Sequence, residues 1–416
     1  MRRNGWVPVK QRLMSVASHA ATLICLAVLG GGPAVAAAQN STAARVEELP
    51  SPAPPHSALS RVSRDEFGNV YLSWVTRSDT RAQLSYAQLI DDAWSEPQSI
   101  SEGVDWFVNW ADFPMLSMHS GAGVAHWLQK SGEGSYDYDV VASFFNQSQG
   151  RWGPGQLINR SGVAAENGFV SMLPMGEQQT LITWLDGRNT RNQPEPGPMT
   201  LRAAAFDGSG NNLREWELDQ AACDCCQTSA AMTAAGPVVV YRDRSDNEVR
   251  DTAIVRLVDG SWTQPEVIHA DDWQVMGCPV NGPAVAARDN RVAVAWFTAK
   301  NDSPKVQLAL SQDSGASFAP PVLVAGSNTN GRVDAVILAN GEVVVSWLDT
   351  QAQASIMLSR FTATGRLMDS VNVAATSASR RSGFPVIESV ENTVYVSWTD
   401  ISATQRVRVA RVNFQR

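Results

Sequence analysis

Val343-Val344-Val345-Ser346-Trp347 is a short β-branched run that ends in a tryptophan. Val70-Tyr71-Leu72-Ser73-Trp74, Gly123-Val124-Ala125-His126-Trp127 and Thr180-Leu181-Ile182-Thr183-Trp184 have the same form. So do Val238-Val239-Val240-Tyr241, Val292-Ala293-Val294-Ala295-Trp296 and Val394-Tyr395-Val396-Ser397-Trp398. The closing aromatics stand at 74, 127, 184, 241, 296, 347 and 398, a step of 51 to 57 residues. A period of this size marks a repeat array, and one strand-rich unit of this length makes a propeller blade.

One copy shows the content of the unit. Residues 331–337 read as an inner strand, and Asn340-Gly341 is a two-residue hairpin signal. Residues 343–347 supply the second strand, 355–361 the third and 366–374 the outer one. Little helical periodicity follows Ser57, so the expected fold is an all-β, seven-bladed propeller of four-stranded blades spanning 57–416. A six-bladed ring is the alternative. The last copy stops after its third strand, residues 405–414, and the strand-like piece at 44–49 is available to complete it. The recurring tryptophans read as packing between blades, and the aspartates that trail them, Asp186, Asp243, Asp349 and Asp400, share that periodicity.

The chain opens with Arg2, Arg3, Lys10 and Arg12, an apolar run at 21–29, and Ala34-Val35-Ala36-Ala37-Ala38. This order predicts a secretory signal peptide at 1–38, cut after Ala38, and a periplasmic or secreted protein. Residues 39–56 form a polar, Pro-rich linker. Loss of the four leader cations takes the formal charge from −8 to −12, which leaves no footprint for nucleic acid. No later stretch is long and apolar enough for a membrane span, and a monomer is expected.

Cys223-Asp224-Cys225-Cys226 and Gly277-Cys278-Pro279 sit at equivalent points of consecutive copies, just before the inner strand. A closed ring places such points side by side. Three readings follow: disulfides between the two blades, a metal site, or a redox arrangement. Clustered thiolates with Met276 nearby suit copper(I) or zinc.

Loops leading into inner strands, and loops joining second to third strands, line one mouth of the channel, called the top here. Arg188, Arg244, Arg332 and Arg381 fall there and suit a carboxylate or other anion. Trp106, Trp110 and Trp273 fall there too and suit sugar rings. Tyr241 replaces the repeated tryptophan, so Tyr241 with Asp243 and Glu248 are the catalytic candidates, the glutamate activating the phenol.

Ser311-Gln312-Asp313-Ser314-Gly315-Ala316-Ser317-Phe318 matches an Asp-box, while Asp259-Gly260-Ser261-Trp262 keeps part of it. On these residues the chain resembles the sialidase-like Asp-box (BNR-repeat) β-propeller family. The resemblance implies a propeller with the box bracing a turn between third and fourth strands. It also implies an exo-sialidase type of glycoside hydrolysis, with an arginine triad, a tyrosine–glutamate pair and an aspartate acid/base. The first inner strand, Ala58-Leu59-Ser60-Arg61-Val62-Ser63, lacks the family's Arg-Ile-Pro signature. The cysteine runs, with Tyr241-Arg242-Asp243 and Arg250-Asp251, resemble an exported bacterial group of sialidase-like propellers. Three functions therefore stand: a binding protein for a glycan or other small anionic ligand, a sialidase-type hydrolase, and a periplasmic metal-binding or thiol-redox partner.

Overall fold

The computed structural model describes residues 44–119, 122–176 and 178–414. The expected signal peptide lies outside the described residues. Seven antiparallel sheets succeed one another along the chain, and no α-helix occurs among the described residues. The innermost strands are Ser57–Arg64, Leu116–His119, Asn167–Met175, Ser229–Thr233, Ala284–Arg288, Asp334–Ile337 and Val386–Val390. Each pairs with a second strand that carries the repeated aromatic, and a third and an outer strand complete each sheet. The ring is a seven-bladed propeller.

Ring closure is visible in the seventh sheet. Arg45–Leu49 pairs antiparallel with Arg406–Asn413, so the earliest described strand is the outer strand of the last blade. The seam is also apolar: Leu49, Val407 and Val409 pack with Leu72 and Trp74 of the first blade. Salt bridges from Arg408 to Glu48 and from Arg411 to Glu47 cross the joint. These pairs are partly exposed and contribute little, so buried area carries the closure.

The alternating pattern of the second strands explains the core. Trp74, Trp184, Trp296 and Trp398 are fully buried, and Tyr241 joins them. Trp347 is only half-buried; its indole donates to Ser359 Oγ at 3.0 Å. One correction concerns the sixth inner strand, which runs Asp334–Ile337 and not from 331. Gly331 and Arg332 both have positive φ, so the chain turns there before pairing begins. The Asn340-Gly341 hairpin forms, with Gly341 at φ +84. The 311–318 turn is braced by Asp313, which accepts from Ser317 Oγ at 2.6 Å, from Ser311 Oγ at 2.7 Å and from the Ser317 amide at 2.9 Å. Those bonds favour the carboxylate and hold Asp313 down at about 2.

Candidate functional site

The loop at 220–228 carries the chain from the third blade into the fourth, and backbone bonds on both sides hold it. The Ala222 amide donates to Met199 O at 2.8 Å, and the Cys223 amide to Arg242 O at 2.9 Å. Asp219 starts the turn by accepting the Ala221 amide at 3.1 Å. Thr228 ends it, its hydroxyl donating to Phe169 O at 2.8 Å. A loop tied at both ends presents its side chains in one arrangement.

That arrangement gathers sulfur. The Sγ atoms of Cys223, Cys225 and Cys226 lie within 4.8 Å of one another, and all three residues are buried. Cys223 and Cys226 sulfurs are 3.4 Å apart. Cys278 comes from the loop before the fifth inner strand, is exposed, and interacts with the Cys225 thiol. All four are thiols in this structure.

A frame of charges surrounds the thiols. Arg250, itself buried, donates to Cys223 Sγ at 3.1 Å. Its other nitrogens fork onto Glu248 at 2.7 and 3.2 Å. Arg244 forks onto the opposite side of Glu248, at 2.7 Å, and reaches Asp224 at 2.9 Å. The frame thus runs from Asp224 through Arg244, Glu248 and Arg250 back to Cys223. Two acids balance two arginines.

The protonation states follow. Bonds from the Cys225 and Cys226 thiols, then the Arg250 charge, hold Cys223 well below the ordinary thiol range. Cys225 is pushed up because it is the thiol that donates within the cluster, to Cys223 first. Burial first, then the hydrogen bond to Cys223, pushes Cys226 up to about 12. Contact with Cys225 lowers Cys278. The two arginine forks lower Glu248, and burial raises Asp224.

The other expected site residues are dispersed. Tyr241 does not meet Glu248. It is sealed in its strand, its hydroxyl donates to Asp219, and burial raises its phenol far above the ordinary range. Asp243 accepts the Arg244 amide at 2.7 Å, and burial pushes it up to about 6. Arg188 folds onto Asp186 at 2.6 Å, with Glu215 at 3.5 Å, and faces its own blade. Arg332 is buried, its guanidinium filled by Ser382 Oγ and the carbonyls of Ala378, Ser379 and Gly383 at 2.8–3.1 Å. Burial lowers it to about 10. Trp273 is buried beneath Arg242, 5.0 Å from guanidinium to ring, and Trp106 stacks on Trp127 at 5.2 Å.

Trp110 and Arg381 do meet, in a second top-face feature. A groove of about 370 Å³ between the seventh, first and second blades is lined by both, with Arg77, His56, Asn109 and Gln405. Leu59, Val75, Phe107 and Val108 form its apolar side. Trp110 is fixed from beneath by Arg332 and by stacking on Phe384 at 5.7 Å. No carboxylate lines the groove. Arg250 and Arg77 were not among the sequence candidates. Arg250 follows the second strand of the cysteine-bearing copy and was findable by its position; Arg77 carried no motif.

No family model matches the chain, and no curated protein matches it. Solved structures share the architecture at low identity. A protein of unknown function from Dyadobacter fermentans is 12% identical, with 89% of this chain and 99% of that one covered at a TM-score of 0.48. An α-L-arabinanase from Penicillium chrysogenum is 10% identical, with the same coverage and TM-score. A sialidase from Streptococcus pneumoniae is 9% identical over 88% of this chain and 94% of its own, at a TM-score of 0.46. Likeness at this level brings neither substrate nor mechanism to this chain.

Proposed function

We propose that the protein binds a soft metal ion, copper(I), at the sulfur centre of the fourth and fifth blades, as an exported metal-binding protein. The observation that carries this reading is the mutual approach of three buried thiols within 4.8 Å, with Cys278 against Cys225. An ion held at about 2.3 Å from each of three sulfurs spaces them about 4 Å apart, so the present positions need little adjustment. The donor set is entirely sulfur, which selects soft ions over calcium or magnesium. The nearby carboxylates, Asp224 and Glu248, are engaged by Arg244 and Arg250 and are poorly placed to serve as oxygen ligands.

The test is an anaerobic copper(I) titration of the purified full chain against a chromophoric chelator, with zinc(II) in parallel. One copper(I) per chain, lost in Cys225→Ser/Cys226→Ser, is the expected result. A chain that leaves all copper(I) with the chelator, or that takes zinc(II) in preference, overturns the reading.

The groove beside Trp110 favours a second reading, a ligand-binding protein for a glycan or small anion. Among the described residues the side chains of Arg77 and Arg381 have no hydrogen-bond or ion-pair partner, and no acid lines the groove. Guanidinium pairs with carboxylates in a fork, and an indole offers a face to a sugar ring. Glucuronate quenching of tryptophan fluorescence, with glucose as the neutral control, tests it. A sialidase-type reaction gains no support from Tyr241, whose hydroxyl is spent on Asp219.

A further inference from the structure

Sulfur at this centre is graded by depth. Cys223 and Cys226 are each 1% exposed and Cys225 is 8% exposed. Cys278 is exposed, on the neighbouring loop, and lies near enough to interact with the Cys225 thiol. Two residues before it, Met276 is 84% exposed, the highest value among the exposed large hydrophobic side chains. A thioether so fully in water contributes nothing to the core. Nothing in the packing of the blades requires it there.

The segment that carries Met276 and Cys278 is nonetheless held in place. The Val275 amide donates to Glu248 O at 3.0 Å, and Gln274 Nε2 donates to Asn247 O at 2.7 Å. Val249 and Gln274 form a bridge in the same region. The loop that carries Arg244, Glu248 and Arg250 therefore also anchors the outer sulfur donors. Gly277 lies between them, and a Cβ there would meet nothing within 4 Å. The two sulfurs flank an open position on an anchored base.

A soft ion reaches or leaves such a buried centre by ligand exchange, because a charge carried through the protein interior without ligands is costly. Exchange is fast where an accessible donor forms its bond before the old one breaks. We propose that Met276 and Cys278 are the exchange route of the copper(I) centre, passing the ion between Cys225 and a carrier that itself offers sulfur ligands. This rests on the copper(I) reading above. In the inward direction a Met276 Sδ–Cu bond forms as one carrier S–Cu bond breaks. Cys278 Sγ then binds, releases its proton to water, and displaces the second carrier sulfur. As the Cys225 Sγ–Cu bond forms, the Cys225 thiol releases its proton to water and the Met276 Sδ–Cu bond breaks, which frees Met276. Copper stays in the +1 state throughout, so no oxidant or reductant is needed.

The experiment compares the full chain with Met276→Leu and Cys278→Ser by anaerobic stopped flow, using copper(I)–glutathione as donor and bathocuproine disulfonate as acceptor. Both rates are expected to fall, by about tenfold in Cys278→Ser and about threefold in Met276→Leu, with one copper(I) per chain retained at equilibrium in Met276→Leu. A wild-type chain that takes no copper(I) ends the metal reading itself. A wild-type chain that binds copper(I) while Met276→Leu exchanges at its rate ends only the route. Where Cys278→Ser loses the ion altogether, the Met276→Leu rate alone decides.

Discussion

Two top-face regions use arginine in opposite ways. At the fourth blade Arg244 and Arg250 are clamped on Glu248 and Asp224, and a remaining Arg250 N–H serves a sulfur atom. At the groove of the seventh and first blades Arg77 and Arg381 have no acid beside them. The same side chain is a structural brace in one place and an open anion donor in the other. Pairing, rather than residue type, decides which ligand each region suits. Arg332 makes the point at its limit, since its donors are spent on carbonyls.

If the two regions are separate centres, damage to one should spare the other. The largest effect is expected from Cys223→Ser/Cys226→Ser, which should weaken copper(I) binding by roughly 1000-fold or more. Glucuronate binding at the groove should be unchanged in the same protein. Loss of both activities with the fold intact by circular dichroism would break the comparison.

A physical bridge offers a way to couple the regions. Gln227, next to the thiol run, donates to Ala111 O at 2.6 Å, beside Trp110. Its side-chain oxygen accepts the Gly282 amide at 3.0 Å. A Cβ on Gly282 would stand 2.0 Å from Gln227 O, so backbone must move. Gly282→Ala should cost on the order of 2–4 kcal/mol in urea unfolding and weaken copper(I) binding by separating the two cysteine loops. Wild-type stability in this variant would show that the fourth- and fifth-blade loops are not locked together.

Arg77→Ala/Arg381→Ala is a smaller perturbation of exposed residues. It should reduce glucuronate affinity by about tenfold and leave copper(I) stoichiometry at the wild-type value. Isothermal titration of both ligands on one preparation checks it. An unchanged glucuronate affinity would remove the groove from consideration.

The fold was legible because packing repeats. One aromatic position recurred at each blade, and Asn340-Gly341 announced its hairpin. The juxtaposition of residues 223–226 with Cys278 was arguable from ring geometry alone. Partners of charged groups were not arguable, because they come from other loops. Nothing in Arg244 or Arg332 as letters says that one meets Asp224, 20 residues back, and the other Ser382, 50 ahead. Tyr241 stood out as an exception to the repeat, yet its partner Asp219 belongs to the preceding blade's outer strand. Periodicity reports what every blade shares, and the site consists of what single blades add.

A last effect separates the regions by their acids. On the thiol side Glu248 is lowered, because two arginine forks stabilise its charge. On the groove side Asp112, two residues after Trp110, is buried with Oδ2 unpaired. Burial first, with the Glu166 charge adding, pushes it up to about 8 against the Phe169 amide. Glu166 is also raised, to about 7, chiefly by burial. A carboxyl whose folded value is raised holds its proton more tightly folded than unfolded. Its contribution to stability is complete below the ordinary carboxylate range and is lost as pH rises towards about 8. The propeller should therefore be less stable at about pH 8 than at about pH 5, by on the order of a few kcal/mol. Asp112→Asn keeps the shape and removes the titrating proton, so the decline should flatten and leave the smaller slopes of Glu166 and Asp243. Urea unfolding of both proteins at the two pH values measures this. A wild type that gains stability between them would mean that groups lowered within this window, the Cys223 thiol and the buried His126, outweigh Asp112, and the contrast between the two regions would lose its electrostatic basis.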